Sequence, residues 1–164
     1  MNFAYLLLGS NMNNRCALLQ RAREELAMAI GKISKESSVY ESEPWGFHSE
    51  KFFLNQVVRI ETELRPIELL AEILKIENKL GRNRTVNEGY SSRKIDIDIL
   101  FYNDEIISEE KLTIPHPKIS DRMFTLLPLF EIDRSMIHPV SGKSVSDLIK
   151  ECKDKLSVYP YHPK

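Results

Sequence analysis

Two aspartates alternate with isoleucines in the segment Ile95-Asp96-Ile97-Asp98-Ile99. Because successive side chains of a β-strand point to opposite faces, Asp96 and Asp98 are predicted to share one face of a strand. Two carboxylates this close repel each other unless a cation lies between them, and Mg²⁺ beside phosphate groups is typically held by one or two carboxylates. The segment therefore predicts either a magnesium site or the solvated acidic face of an amphipathic strand.

A basic segment precedes the two aspartates and carries Arg82, Arg84 and Arg93. The guanidinium group of arginine presents a planar fork of donors that matches phosphate oxygens. A solvated loop whose arginines make weak surface ion pairs is the alternative for this segment alone. Because the basic segment and the carboxylate pair carry opposite charge and are neighbours in the chain, we favour a site that binds a triphosphate with its metal ion.

Two further ionisable residues are notable for their positions. Glu77 falls between Ile73 and Leu80 in the apolar stripe of a predicted helix. A buried carboxylate needs a partner, which is either a ligand or a salt bridge. His116 stands between two prolines, which hold it in an extended backbone and could direct its imidazole at a phosphate. Since a single histidine is more often a packing or surface residue, neither position decides the function by itself.

Aromatic and amide side chains offer a place for a flat heterocycle. Phe53 and Asn55 lie two residues apart in a predicted strand and therefore share a face. An aromatic ring can stack on a heterocycle while an amide pairs with its edge through a donor and an acceptor. Core packing is the simpler explanation for Phe53 and for Phe124, and a surface charge is the simpler one for Arg122.

The composition is that of one globular domain. The chain has 164 residues, of which 42% are hydrophobic and 29% charged, so we expect a single domain over residues 1–164. A formal net charge of -1 gives no general footprint for nucleic acid or for a membrane surface. The two cysteines, Cys16 and Cys152, suggest no disulfide framework, and the apolar run at 3–8 is too short to span a bilayer. We therefore expect a cytoplasmic protein without nucleic-acid or membrane partners.

The pattern of apolar residues predicts the elements that position these candidates. Alternation and short apolar runs predict strands, whereas apolar residues three or four apart predict helices. The predicted elements are a strand at 3–8, a helix at 19–30 capped by Gly31, a strand at 32–40, a strand at 53–64, a helix at 66–80 closed by Gly81, a strand at 95–102 with a short return at 105–107, and helices at 124–132 and from Ser144.

The order of the first six elements, β-α-β-β-α-β, is typical of one arrangement. It predicts an α+β, ferredoxin-like split fold in which an antiparallel sheet carries helices on one face. The other face is expected to be free for ligands. The two later helices are expected to form a C-terminal helical extension.

The spacing of five motifs resembles that of one protein family. The motifs are Leu8-Gly9-Ser10-Asn11, Phe53-Leu54-Asn55, Ile76-Glu77 with Leu80-Gly81-Arg82-Asn83-Arg84, Arg93-Lys94-Ile95-Asp96-Ile97-Asp98-Ile99, and Ile114-Pro115-His116-Pro117. In this order they resemble the 6-hydroxymethyl-7,8-dihydropterin pyrophosphokinase family, and the resemblance runs from residue 4 to about residue 150. The most specific part is the Arg-x-x-Asp-x-Asp element followed by the Pro-His pair.

The resemblance implies an ATP- and Mg²⁺-dependent diphosphotransferase of folate biosynthesis. Such an enzyme moves the pyrophosphoryl group of ATP to a dihydropterin alcohol and releases AMP, with two Mg²⁺ ions held by Asp96 and Asp98. The residues implied for catalysis are Arg82, Arg93, Asp96 and Asp98. Those implied for ATP are Glu77, Arg84, Arg93, Ile99, Lys111, Thr113, His116 and Arg122. Those implied for the pterin are Gly9, Phe53, Asn55, Asp96 and Phe124, together with backbone groups of Ser42, Glu43 and Trp45.

The segment from 82 to 93 is predicted to act as a lid. It is almost devoid of apolar residues and contains Gly89 and two serines, so it cannot anchor itself without a ligand. We expect it to close over ATP and the pterin. A monomer is expected.

Two other functions remain open from the residues. Another nucleotidyl or phosphoryl transferase on the same fold would use the aspartate pair in the same way, but it gives no reason for the aromatic and amide set. A ligand- or RNA-binding module without catalysis would need exposed basic and aromatic residues on its strands, where this chain places two acids.

Overall fold

The protein is built on an antiparallel sheet. This computed structural model describes residues 1–12, 14–47, 51–81 and 95–163. Its main strands and helices are β1 (Asn2–Ser10), α1 (Arg15–Ala29), β2 (Gly31–Glu36), β3 (Tyr40–Ser42), β4 (Phe53–Thr62), α2 (Pro66–Lys79), β5 (Asp96–Tyr102), β6 (Ile107–Ser108), β7 (Thr113–Ile114), α3 (Met123–Ile132), α4 (Val145–Glu151) and β8 (Val158–Pro160). Within these residues the sheet has the order β5-β1-β4-β3-β8, and β2 also pairs with β4.

The strand order confirms the predicted ferredoxin-like fold. Strand β1 lies between β4 and β5 and is antiparallel to both. Strands β2 and β3 pair with successive parts of β4, also antiparallel. The first helix therefore connects β1 to β2, and the second connects β4 to β5, as the split β-α-β-β-α-β order requires.

Successive residues of the strands belong alternately to two hydrophobic clusters, one on each face of the sheet. On β1, Leu6 and Leu8 are buried with α1 and α2 on one face of the sheet. Their neighbours Tyr5 and Leu7 are buried on the other face with α3 and α4. The face that was expected to be free for ligands is therefore partly covered by the C-terminal helices, and a cavity opens on it beside the N-terminal end of α3.

The ends of the two long helices follow from local chemistry. The Asn14 side chain accepts a hydrogen bond from the Ala17 backbone at the start of α1. Helix α2 begins at Pro66, and Gly81 follows its end with φ 97°, a left-handed conformation that glycine adopts without strain. The predicted start of α2 and its closure by Gly81 are therefore confirmed, and the helix ends at Lys79, one residue before the predicted end.

The role predicted for Gly31 is wrong. Gly31 does not cap α1 but begins β2, and the C-cap residue is Ile30 in a right-handed conformation. A Cβ atom on Gly31 would lie 1.9 Å from the carbonyl oxygen of Glu61 on β4. The glycine is required because two backbones approach closely at this point.

The single strand predicted at 32–40 is two strands in the structure. Strands β2 and β3 are separated at Ser37, whose backbone N–H donates to the Val57 carbonyl oxygen while its hydroxyl accepts from the Val57 N–H. Strand β8 was not predicted and pairs with β3. The Tyr159 hydroxyl there donates to Glu41, which also accepts from Arg15, so the tail is tied to the sheet.

The remaining sequence expectations concern membranes and thiols. Among the helices of the described segments, none combines the length and the apolar character that a membrane span needs. Both Cys16 and Cys152 are free thiols.

We predict that Gly31→Ala lowers the free energy of unfolding by about 3 kcal/mol or more, because the added methyl group overlaps a backbone oxygen. Gly142→Ala is the control: its φ is +72° but its surroundings are open, so the cost should be about 1 to 2 kcal/mol. Urea unfolding of both variants measures the difference. Equal losses would contradict the close-approach explanation.

Candidate active site

A cavity of about 330 Å³ opens on the second face of the sheet, beside the start of α3. Its residues come from β1, β3, β4 and β5, from the segment between β3 and β4, and from the start of α3 with the segment before it. Its lining residues are Leu7, Gly9, Ser42, Glu43, Trp45, Phe47, Phe53, Asn55, Asp96, Asp98, His116, Pro117, Lys118, Arg122 and Phe124. This size lies within the range of small-molecule sites.

The two aspartates lie on one wall of the cavity, as the alternation predicted. Asp96 pairs with Gly9 and Asp98 with Leu7 across β1 and β5. Both aspartates are half-buried, whereas Ile97 between them is buried in the opposite core. The strand thus presents two carboxylates to the cavity from a position fixed by its pairing with β1.

Glu77 supports β5 from the opposite side. It is 1% exposed, and its Oε2 accepts a hydrogen bond of 2.8 Å from the backbone N–H of Ile97. Because β5 forms an edge of the sheet, this N–H needs a partner outside the sheet. Glu77 provides that partner between the two aspartates, and it does not line the cavity.

His116 is fixed beside Asp98 by backbone contacts. Its N–H donates to the carbonyl oxygen of Leu100 at 2.9 Å, again on β5. Its Nδ1 accepts from the Lys118 N–H at 3.1 Å, so the proton of the neutral ring lies on Nε2. Nε2 is 4.0 Å from Asp98 Oδ2.

The imidazole of His116 is neutral near pH 7. Burial lowers its pKa to about 4, helped by the positive charge of Arg122 and, more weakly, by that of Lys118, whereas the negative charge of Asp96 acts in the opposite direction. The approach to Asp98 is therefore not an ion pair at neutral pH. The ring offers an Nε2–H donor, and phosphate groups bound nearby would raise its pKa.

Arg122 is almost buried at the start of α3. It is 7% exposed, and its guanidinium carbon lies 4.6 Å from the centroid of the Trp45 ring and 5.5 Å from that of Phe124. Such distances are typical of cation–π contacts. From the residue alone a surface charge was the simpler explanation, while the family resemblance implied a contact with ATP; in the structure Arg122 lines the cavity.

The opposite part of the cavity is aromatic and polar. Phe53 meets Phe47 edge to face with ring centroids 6.1 Å apart. The Asn55 side chain donates to the Ser42 hydroxyl at 2.8 Å. A Cβ atom on Gly9 would lie 3.5 Å from Asn55 Oδ1, so a glycine leaves room in front of this amide. A flat heterocycle could contact the Phe53 ring and the Asn55 amide together.

Most residues predicted for the site line the cavity. All those implied for the pterin are present, together with Asp98, His116 and Arg122 from the other groups. The sequence missed Leu7, Phe47, Pro117 and Lys118. Leu7 could have been found because it shares the face of Gly9, two residues away on β1.

Other predicted residues lie elsewhere. Ile99 is buried in the core, and the exposed Lys111 and Thr113 lie next to or on β7, outside the cavity lining. Their contacts with ATP stay predictions, as does that of Glu77. Arg82, Arg84 and Arg93, with the lid predicted at 82–93, lie outside the described residues.

Asp96 and Asp98 are the cavity residues suited to hold Mg²⁺. Within the described ranges, no group of three or more His, Cys, Asp and Glu residues could hold a metal ion. A pair of carboxylates is nevertheless sufficient for Mg²⁺, which usually keeps several waters and takes its remaining ligands from substrate phosphates. The donor set therefore fits a metal ion that arrives with a nucleotide.

Comparison with known proteins identifies the family. The profile of 7,8-dihydro-6-hydroxymethylpterin-pyrophosphokinase (HPPK) matches residues 5–134. The chain belongs to this family. The resemblance seen in the sequence motifs is thereby confirmed.

Relatives named 2-amino-4-hydroxy-6-hydroxymethyldihydropteridine pyrophosphokinase match most of the chain. The protein of Aquifex aeolicus is 41% identical over 161 residues, which are 98% of this chain and 96% of that protein. The protein of Bacillus subtilis is 45% identical over 132 residues, which are 80% of this chain and 78% of that protein. The HPPK match is therefore not confined to one motif.

Some relatives are much longer than this chain. The folic acid synthesis protein fol1 of Pneumocystis carinii is 39% identical, and the match covers 92% of this chain but 20% of that protein. A solved HPPK-DHPS structure from Plasmodium falciparum has a TM-score of 0.74 at 20% identity and covers 92% of this chain and 44% of that chain. At this identity the likeness shows the HPPK fold alone.

We predict that Glu77→Leu lowers the free energy of unfolding by about 1 to 3 kcal/mol, because it leaves the buried N–H of Ile97 without its acceptor. Glu77→Gln keeps an acceptor oxygen and should lose less. Glu72→Leu, on the same helix but paired with Lys75 near the surface, is the control and should change stability by less than about 1 kcal/mol. Urea unfolding measures the stability of each variant. Similar losses of unfolding free energy in the two leucine variants would contradict the role of Glu77.

A second prediction concerns the pH dependence of stability. Since the pKa of His116 is lowered in the folded protein, the unfolded chain binds the proton more tightly, and stability is lost as pH falls from 6.5 towards 4. His116→Asn keeps an acceptor but does not titrate. Between pH 7.5 and pH 4.5 the free energy of unfolding should therefore decrease less in this variant than in the wild type. The difference between the two decreases should be roughly 2 kcal/mol. Identical pH profiles would show that the His116 pKa is not lowered.

Proposed function

We propose that this chain transfers the pyrophosphoryl group of ATP to the hydroxymethyl group of 6-hydroxymethyl-7,8-dihydropterin and releases AMP, in folate biosynthesis. The observation that carries the proposal is the shared cavity, in which carboxylates, cations, aromatic rings and an amide meet. Membership of the HPPK family supports it. The non-catalytic alternatives offer no reason for this combination.

The ATP phosphates are assigned to the wall formed by β5 and the segment before α3. His116 supplies an Nε2–H donor there, and Lys118 and Arg122 supply positive charge. Fixed cations and donors stabilise a phosphoryl-transfer transition state in which negative charge is redistributed. Arg82, Arg84 and Arg93 are proposed to add charge from the predicted lid.

The pterin is assigned to the aromatic part of the cavity. Phe53 and Phe124 offer ring faces, and Asn55 with Ser42 offers polar groups for the edge of the heterocycle. In this arrangement the hydroxymethyl group is proposed to point towards the two aspartates. Holding both reactants in one cavity supplies much of the rate enhancement in reactions of this type.

The proposed reaction is a displacement at phosphorus. The hydroxymethyl oxygen forms a bond to the β-phosphorus of ATP, the bond from that phosphorus to the α–β bridging oxygen breaks, and AMP leaves with the bridging oxygen. The hydroxyl proton passes to solvent, since no side chain is assigned as a general base. Two Mg²⁺ ions, held by Asp96 and Asp98, are proposed to neutralise the phosphate charge.

The setting of the enzyme is proposed to be the cytoplasm, where it acts as a monomer without nucleic-acid or membrane partners. The two free cysteines are compatible with a reducing compartment. The formal net charge of -1 gives no basis for general binding to polyanions.

We predict that Asp96→Asn and Asp98→Asn each lower kcat for AMP release by at least about 100-fold, because each removes a charge at the reacting phosphates. Asp104→Asn changes an exposed residue of the turn after β5 and serves as the control. The assay measures AMP in a mixture of ATP, Mg²⁺ and the pterin alcohol, with circular dichroism to verify folding. A near-normal rate in either the Asp96→Asn or the Asp98→Asn variant would show that these aspartates do not hold the Mg²⁺ ions.

A further inference from the structure

The side chain of Trp45 has a contact that its predicted role does not explain. Its ring lies 4.6 Å from the guanidinium carbon of Arg122, closer than the ring of Phe124 at 5.5 Å. Trp45 is half-buried in the irregular segment between β3 and β4. Among the described residues it belongs to neither hydrophobic cluster, so core packing is not the reason for an aromatic residue here.

The contact between Trp45 and Arg122 determines the position of the guanidinium charge. Arginine has a long side chain with many rotamers, and ordering it during binding costs conformational entropy. Arg122 is 7% exposed, and a cation–π contact is stronger when water is excluded. The indole therefore restrains the guanidinium before any ligand arrives.

The restrained charge lies in the same cavity as the carboxylates. Arg122, His116 and Lys118 line it together with Asp96 and Asp98. A guanidinium held there could donate paired N–H groups to a phosphate of a nucleotide bound beside the aspartates. The arrangement gives the aromatic side chain an effect on nucleotide binding, although its backbone neighbourhood was assigned to the pterin.

We propose that Trp45 is a positioning residue for Arg122: its ring holds the guanidinium ready for the ATP phosphates. This inference rests on the proposed function, because it concerns nucleotide affinity. It differs from the pterin role implied by the family resemblance, which concerns backbone groups near Trp45.

The contact itself is tested without any substrate. Trp45 is the single tryptophan of the chain, so its fluorescence reports its own surroundings. Arg122→Met removes the cation but keeps an unbranched side chain, and it should change the intensity or wavelength of the emission. Arg134→Met is the matched control, because Arg134 makes the same kind of contact with Phe130, at 5.6 Å, and not with the tryptophan. Emission that is the same in the Arg122→Met variant and the wild type would overturn the proposal.

The positioning role is tested by binding. For Trp45→Leu we expect about a tenfold rise in Kd for the Mg²⁺ complex of a non-hydrolysable ATP analogue, measured by calorimetry, and less than a twofold change in Kd for the pterin alcohol. Trp45→Phe keeps an aromatic face and should recover most of the nucleotide affinity. In the Arg122→Met background, Trp45→Leu should have little further effect, because the partner is already gone.

The outcomes separate this inference from the proposed function. A rise in the Kd for the pterin alone would make the ring a pterin contact and overturn the positioning role, as would additive effects in the double variant. If the wild type binds the nucleotide but releases no AMP with the pterin alcohol, the proposed function fails while the Trp45 result still stands. Thermal unfolding of each variant shows whether a general loss of folding explains the change.

Discussion

The site depends on the alternation of side chains along β5. The isoleucines of this strand fill the core under α1 and α2, so the aspartates between them must point into the cavity. The outer edge of the same strand is held from two sides: the Ile97 N–H donates to Glu77, and the Leu100 carbonyl oxygen accepts from His116. A one-residue shift in the register of β5 would move both carboxylates into the core and displace His116. Fold stability and the position of the charges are therefore linked in one strand.

The second constraint is the balance of charge in the cavity. Asp96, Asp98 and Glu43 carry negative charge, Lys118 and Arg122 carry positive charge, and burial keeps His116 neutral. A bound nucleotide with Mg²⁺ would add both negative and positive charge. The cations and the carboxylates could then each interact with an opposite charge without a large rearrangement. Restraint of Arg122 by aromatic rings reduces the ordering that binding requires.

Local signals in the sequence were sufficient to predict much of the fold and of the site. The features that were predicted wrongly or not at all depend on contacts between residues far apart in the chain. Gly81 and Gly31 both follow a helix, but only the first is a cap, because the second is selected by the Glu61 oxygen on a strand that comes later in the chain. Strand β8 has three residues and no alternation to reveal it. The alternation at Asp96 and Asp98 is local and predicted their common face. The neutral state of His116 depends on burial and on charges brought near by folding, which no local pattern contains.

In the proposed reaction a diphosphate unit moves intact from ATP to the pterin alcohol within the cavity that holds Asp96 and Asp98. Phosphorus NMR of the products formed from ATP, Mg²⁺ and 6-hydroxymethyl-7,8-dihydropterin distinguishes this reaction from the transfer of a single phosphate. We expect AMP and a pterin carrying two coupled phosphorus resonances, in equal amounts. Formation of ADP with a pterin monophosphate would instead show attack at the γ-phosphorus, and the proposed function would then be wrong.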